Sequence, residues 1–168
     1  ILYAFTIAAG LSIHLFITLP IIFYIFTKYS PLLHFKAILP AMLTAFSTSS
    51  SSATLPVTMD CANNNIKSSK KVSGFVLPLG ATVNMDGTAL YECAGVLFIS
   101  QIIGVDLSLS SQLIIVFTAF LASVGAAGVP SAGLVMIFIV LDAVGLSNNP
   151  QVPIIVGTML AIDRPLDM

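Results

Sequence analysis

The sequence predicts an all-α polytopic membrane protein with two re-entrant helical hairpins and broken transmembrane helices in an inverted repeat. Three observations carry that expectation. Hydrophobic residues make up 57% of the 168 residues and charged residues only 8%, with a mean hydropathy of +1.05. A soluble domain carries about 25% charged residues, so this composition could not solvate a globular surface. Two pairs of apolar arms, each arm short for a bilayer, flank small or hydroxylated tips. Each pair is followed by a long apolar segment interrupted by polar residues, the paired signature of a secondary-transporter binding site. The net charge of −1 speaks against a nucleic-acid partner, and Cys61 and Cys93 lie in apolar stretches rather than in a disulfide or metal framework. The chain begins inside an apolar run with no basic leader and stops inside a polar cluster, so it reads as a fragment of a longer protein.

The first element, 1–28, is a transmembrane helix: Ile1 to Phe26 is uncharged and exceeds the roughly 20 residues a bilayer requires. Pro20 is tolerable there if neighbours satisfy the freed carbonyl. His14, at mid-span, reads as a neutral, hydrogen-bonded core histidine. Lys28-Tyr29-Ser30-Pro31 ends the helix.

Hairpin 1, 31–66, has an arm Leu32 to Phe46, a hydroxyl tip Ser47-Thr48-Ser49-Ser50-Ser51-Ser52, and a second arm from Ala53 to about Asn63. A helix of about 15 residues reaches about 22 Å against a hydrocarbon core of about 30 Å, so neither arm spans comfortably. A serine linker buried between apolar arms would strand backbone groups, so the tip is expected to cap a helix, with Ser51 or Ser52 at the N-cap. Asn63-Asn64-Asn65 and the lysines after it read as a solvated loop.

The broken transmembrane segment, 70–104, is too long for one straight span. Leu77-Pro78-Leu79-Gly80 and Met85-Asp86-Gly87 supply the breakers. Hairpin 2, 107–145, repeats the plan around Ala122 to Gly133, with Pro130 expected at the first helical position of its second arm. The stretch 150–168 is the start of a last transmembrane helix, interrupted near Asp163-Arg164-Pro165-Leu166-Asp167. Five of the six basic residues, Lys28, Lys36, Lys67, Lys70 and Lys71, fall at the ends of hairpin 1, and none falls at the ends of hairpin 2. The positive-inside rule places the first base in the cytoplasm, and one crossing then places the second outside.

The chemistry gathers at the interruptions. Asn84 and Asp86, with the hydroxyls of Thr82 and Thr88, sit at membrane depth, where a buried acid needs a partner. Oxygen side chains beside unwound carbonyls suit a hard cation such as sodium; the competing reading makes Asp86 a helix cap. Two helix N-termini converging from opposite faces would cradle an anion such as a carboxylate. For Gly125, Gly128 and Gly133, close helix packing and ligand contact both remain open. Glu92, one turn after Thr88 on an apolar helix, is either a proton carrier, since burial disfavours its charged form, or a structural glutamate. Arg164 either binds a substrate carboxylate or pairs internally with Asp163 or Asp167.

Ser50-Ser51-Ser52-Ala53-Thr54-Leu55-Pro56, Leu77-Pro78-Leu79-Gly80-Ala81-Thr82, Asn84-Met85-Asp86-Gly87-Thr88 and Gly128-Val129-Pro130 resemble the dicarboxylate/amino acid:cation symporters, the glutamate transporter relatives. The resemblance covers nearly all 168 residues. This family is itself among the inverted-repeat transporters, so the hairpin pattern and the resemblance are one observation, not two. The resemblance implies a multi-pass protein of the plasma or inner membrane, homotrimeric, not an enzyme, with a transport domain moving elevator-fashion. The present chain would be part of that C-terminal domain. It implies sodium-coupled uptake, with a possible proton, of glutamate, aspartate or a dicarboxylate, and no cofactor beyond the coupling ions. Substrate contacts then match Ser50, Ser51, Ser52, Thr88, Val129 and Gly133, with Asp167 holding the substrate amino group. Sodium positions match Gly80, Thr82, Asn84, Asp86, Ser123 and Val124, and Glu92 matches the position of a proton-coupling glutamate. Two positions depart from the pattern. Ser49 stands where some members carry an arginine, which Arg164 would replace, and Ala126 stands where threonine is expected.

A neutral amino acid transporter of the same family and an ion channel are the alternatives. Two unequal hairpins beside acids at broken helices fit occlusion better than a filter. An intramembrane serine hydrolase lacks a G-x-S-x-G motif, and the lysines lie at the expected membrane surface. The lysine asymmetry makes the topology testable with single cysteines at Ser68 and Ser147 in a cysteine-free background. An impermeant thiol reagent applied to whole cells should label position 147 and spare 68, and the opposite pattern would invert the orientation.

Overall fold

The computed structural model describes residues 2–167; the side chains at 163–165 and 167 lie outside the described residues. Every regular element among the described residues is helical. Helix α1, Leu2–Thr27, is long and apolar enough to cross a membrane. It contains a π-helical turn over His14–Thr18, closed by the Leu19 N–H on the His14 carbonyl, just before Pro20. Lys28 ends the helix in the left-handed conformation, φ 59°.

Helices α2, Pro31–Thr48, and α3, Ser51–Asp60, pack against each other as a helical hairpin. Its tip is shorter than the run of six hydroxyl residues suggests. Ser47 and Thr48 stay helical by donating their hydroxyls to the Thr44 carbonyl, 2.9 and 2.8 Å, and only Ser49 and Ser50 separate the arms. Ser49 turns the chain at φ 51°, a left-handed geometry uncommon outside glycine. The N-cap is Ser50, not Ser51 or Ser52: its Oγ accepts the Ala53 N–H at 3.2 Å.

The second arm continues as a π-helical turn over Cys61–Asn65. This corrects the reading of the three asparagines as a solvated loop. Asn65 donates to the Ala37 carbonyl at 2.7 Å, and Asn63 accepts from Ser73 at 2.6 Å. The amides therefore tie the hairpin base to the next helix and satisfy polar groups that an apolar surround would leave stranded.

Helices α4, Lys70–Val83, and α5, Asp86–Ile102, form the broken segment. The break lies at Asn84 and Met85 alone. Pro78 and Gly80 remain inside α4, so the Leu77–Gly80 run is not the breaker: a proline forfeits one hydrogen bond, and the helix propagates past it. The second hairpin consists of α6, Leu109–Gly125, and α7, Ala132–Ala143, packed side by side. Pro130 does not start α7 as expected. It lies in the turn, and Ser131, φ 61°, precedes the first helical residue. Helix α8, Val152–Asp167, is also unbroken to its end, so the interruption expected near 163–167 does not occur in the backbone.

The core lies where α5, α6, α7 and α8 meet the start of α1. Val96, Ile99, Ile115, Ile137, Val140, Leu141 and Val152 are fully sealed there, and Tyr3 stacks on Phe98 with ring centres 4.6 Å apart. Gly95 is the small residue that lets α5 approach Ile137 and Met159; a side chain there would meet both. The opposite faces are apolar as well: Phe5, Phe26, Phe75 and Phe117 are each more than 60% exposed. A chain with apolar residues on both sides of its helices needs lipid or further protein around it.

Candidate functional site

The break between α4 and α5 opens into a cavity of about 390 Å³, within the usual range for small-molecule sites. Five parts of the chain line it: α1 through Leu11, His14, Leu15 and Leu19; the first tip through Ser49, Ser50 and Ser51; the broken segment from Asn84 to Thr88; the second tip through Ala127, Gly128, Val129, Ala132 and Gly133; and α8 through Leu166. Sequence positions more than a hundred residues apart therefore share one wall.

The two tips touch. Ser50 Oγ donates to the Gly128 carbonyl at 2.6 Å, and the Ser52 backbone N–H donates to the same oxygen at 3.1 Å. Gly128 is required by this approach: a Cβ there would stand 2.7 Å from Ser52 Oγ and 3.0 Å from the Ala81 carbonyl. The small-residue tip thus serves contact rather than packing alone. Gly133 is similarly close-fitting, with Thr88 Cγ2 3.0 Å from where its Cβ would be. The start of α3, the start of α5 and the start of α7 all border the cavity. Three positive dipole ends give it an anion-attracting character, while the first tip commits its Ser52 N–H and Ser50 hydroxyl to Gly128.

Of the expected substrate contacts, Ser50, Ser51, Thr88, Val129 and Gly133 line the cavity, and Ser52 stands just behind, holding the second tip. The side chains of Arg164 and Asp167 lie outside the described residues.

The expected ion positions divide. Asn84 and Asp86 line the cavity, and their backbone forms the break itself. Gly80 and Thr82 sit in the last turns of α4, where the Gly80 carbonyl accepts the Asn84 N–H at 3.1 Å and the Thr82 hydroxyl donates to the Leu79 carbonyl at 3.1 Å. Ser123 is buried near the end of α6, its hydroxyl on the Phe120 carbonyl and its own carbonyl accepting the Ala126 N–H. Val124 follows it in the same turn. Packing of α4 on α6 brings these two groups of positions to neighbouring helices. Carboxylate, amide and carbonyl oxygens are the donor set that suits a hard monovalent cation.

Asp86 does not cap its helix. The N-cap position is Met85, with no side-chain cap, and the Asp86 carboxylate instead accepts from His14 Nε2. His14 is thus hydrogen-bonded, as expected, but it belongs to the cavity wall and not to the core. The signal available in the sequence was its position: one imidazole in the middle of an uncharged span. Tyr91 is a second lining residue that sequence reasoning passed over, because an aromatic in an apolar helix carries no distinguishing pattern.

Glu92 does not line the cavity. It is fully buried within the helical packing, and neither carboxylate oxygen has a hydrogen-bond partner among the described residues. A buried polar group of this kind is costly to leave unpaired.

Comparison with known proteins gives the family. The family model described as the sodium:dicarboxylate symporter family matches residues 1–168. An excitatory amino acid transporter of Caenorhabditis elegans is 48% identical over 163 residues, covering 97% of this chain and 32% of the relative. Excitatory amino acid transporter 3 of Mus musculus is likewise 48% identical, over 97% of this chain and 31% of its own length. Excitatory amino acid transporter 1 of Rattus norvegicus is 44% identical, over 97% and 30% respectively. The chain spans about a third of the length of these curated relatives.

Proposed function

The chain belongs to the sodium:dicarboxylate symporter family, and from that premise we propose that it forms the substrate- and ion-binding part of a multi-pass membrane symporter. The carrying observation is the cavity at the α4–α5 break, bordered by three helix N-termini and closed at one side by the junction of the two tips. The cargo we assign is a small dianion or amino-acid anion, such as glutamate, aspartate or a dicarboxylate, moved with sodium. The names of the relatives support an acidic amino acid.

In this reading the N-termini at Ser50–Ser52 and Ala132–Gly133 hold substrate carboxylate, Thr88 adds a hydroxyl, and Val129 covers the cavity. Asp167 would take the amino group and Arg164 a carboxylate. Sodium would be held by Asn84 and Asp86 together with backbone carbonyls at Gly80, Ser123 and Val124, and by Thr82. The hairpins α2–α3 and α6–α7 would enter from opposite membrane faces as an inverted repeat; α7, with 12 residues, is about 18 Å long and too short to cross. The tips then act as gates. A hydrogen-bonded junction between them favours an occluding transporter over an open channel. Assembly as a homotrimer, elevator-type movement and residence in the plasma or inner membrane complete the proposal.

Uptake of labelled glutamate or aspartate by the full-length protein in proteoliposomes tests it. Asp86→Asn removes the only formal negative charge at the break among the described residues. It should weaken sodium activation by about 1.5–3 kcal/mol, roughly tenfold to a hundredfold in half-saturating sodium. Unchanged sodium dependence would refute the ion assignment.

Glu92 is proposed to carry a proton, because a sealed carboxyl with no partner is best accommodated neutral. Glu92→Gln keeps the shape and removes titration. The variant should still exchange substrate across the membrane, while its net uptake under a fixed sodium gradient loses any response to an imposed pH gradient. Wild-type uptake indifferent to that gradient would make Glu92 a packing residue.

A further inference from the structure

We propose that His14 is the positioning residue for Asp86, so that the ion site extends onto α1, an element that contributes none of the family-like motifs. The inference rests on the reading of Asp86 as a sodium ligand.

Three features of α1 converge on it. An imidazole in the middle of an uncharged span is unfavourable unless its polar edge finds a partner. The π-helical turn begins at His14 itself, where Leu19 N–H reaches back five residues to the His14 carbonyl. A π turn adds one residue to a helical repeat and so resets which residues face a given side. Such turns concentrate at functional sites. Here Leu11, His14, Leu15 and Leu19 all border the cavity on either side of that reset. Pro20 follows at once; having no N–H, it leaves the turn before it without one ordinary α-helical bond.

The contact itself has a defined direction. A carboxylate only accepts, so His14 Nε2–H donates to Asp86 Oδ2. No second hydrogen bond reaches this carboxylate among the described residues, and its helix receives no side-chain cap from Met85. Asp86 is 44% exposed and His14 22%. Without the imidazole, the carboxylate would be free to rotate about its side-chain torsions in an open cavity. With it, one oxygen is fixed and Oδ1 is left for a cation. This is the arrangement in which an outer group orients an ion ligand without touching the ion.

The test uses the full-length protein and two substitutions of comparable size. His14→Met removes the N–H donor; His14→Gln returns one near the position of Nε2. The direct readout is the sodium concentration that gives half-maximal protection against thermal unfolding in detergent without substrate, with half-saturating sodium for uptake measured beside it. His14→Met should raise both by about tenfold or more, the range for losing a hydrogen bond to a charged group. His14→Gln should restore most of the loss. In an Asp86→Asn background, His14→Met should add nothing. His14→Ala replaces His14→Met in the comparison if the latter fails to fold.

A His14→Met variant with wild-type sodium dependence, while Asp86→Asn is strongly impaired, would overturn the positioning role and leave the ion site standing. A lowered sodium requirement would overturn it too, since the ring would then compete with the ion. Both variants unchanged would remove the sodium reading of Asp86 itself.

Discussion

Everything in this molecule depends on one constraint: in apolar surroundings a backbone amide or carbonyl without a partner costs several kcal/mol, so a helix is interrupted only where something replaces its hydrogen bonds. The chain interrupts α4–α5 at just two residues, Asn84 and Met85. Around that gap the rest is arranged. The tips of two hairpins converge there, one side of α1 closes the wall, and the core of α5–α8 holds the far half of the broken segment rigid. The freed groups are polar, directional and accessible from a cavity, which is what turns a structural liability into a binding site.

The tips show the same economy. Each hairpin reverses through a left-handed serine, Ser49 in one and Ser131 in the other. A non-glycine residue in that region is strained, and strain of this kind persists where the surroundings over-determine the conformation. For Ser49 the surroundings include the Ala45 carbonyl, 2.9 Å from its N–H, and the adjoining N-cap at Ser50. Ser50 has two duties: its hydroxyl caps α3 and also reaches the opposite tip. Loss of that single oxygen would therefore loosen a helix start and a domain contact together.

Much of this was legible beforehand. Two pairs of apolar arms around small or hydroxylated tips mark the two helical hairpins, and Asn84 and Asp86 in an otherwise apolar segment mark the break. What was not legible follows from physical competition. Pro78 and Gly80 looked like breakers because their local propensity is poor, yet helix propagation on either side outweighs one lost bond. Ser47 and Thr48 looked like linker because six hydroxyl residues run together, yet their hydroxyls fold back onto the helix. Pro130 looked like a first helical residue, yet it lies in the turn, two positions before the helix starts at Ala132. Asp163 to Asp167 looked like a second interruption, yet the backbone stays helical through it. His14 looked like core because its partner lies 72 positions away, and no local pattern discloses a contact at that separation.

The central claim is that the two tips meet over the broken segment and that their junction closes the cavity. Cross-linking Ser52→Cys with Val129→Cys, in a background where Cys61 and Cys93 have been replaced, tests it most directly, since the Ser52 N–H bonds the carbonyl of Gly128, the residue before Val129, at 3.1 Å and the glycine itself is left in place. The account predicts that mild oxidant joins the pair within one chain, that uptake stops as the disulfide forms, and that reductant restores it. Full uptake with the disulfide formed, or no disulfide under conditions that oxidise neighbouring surface pairs, would contradict it.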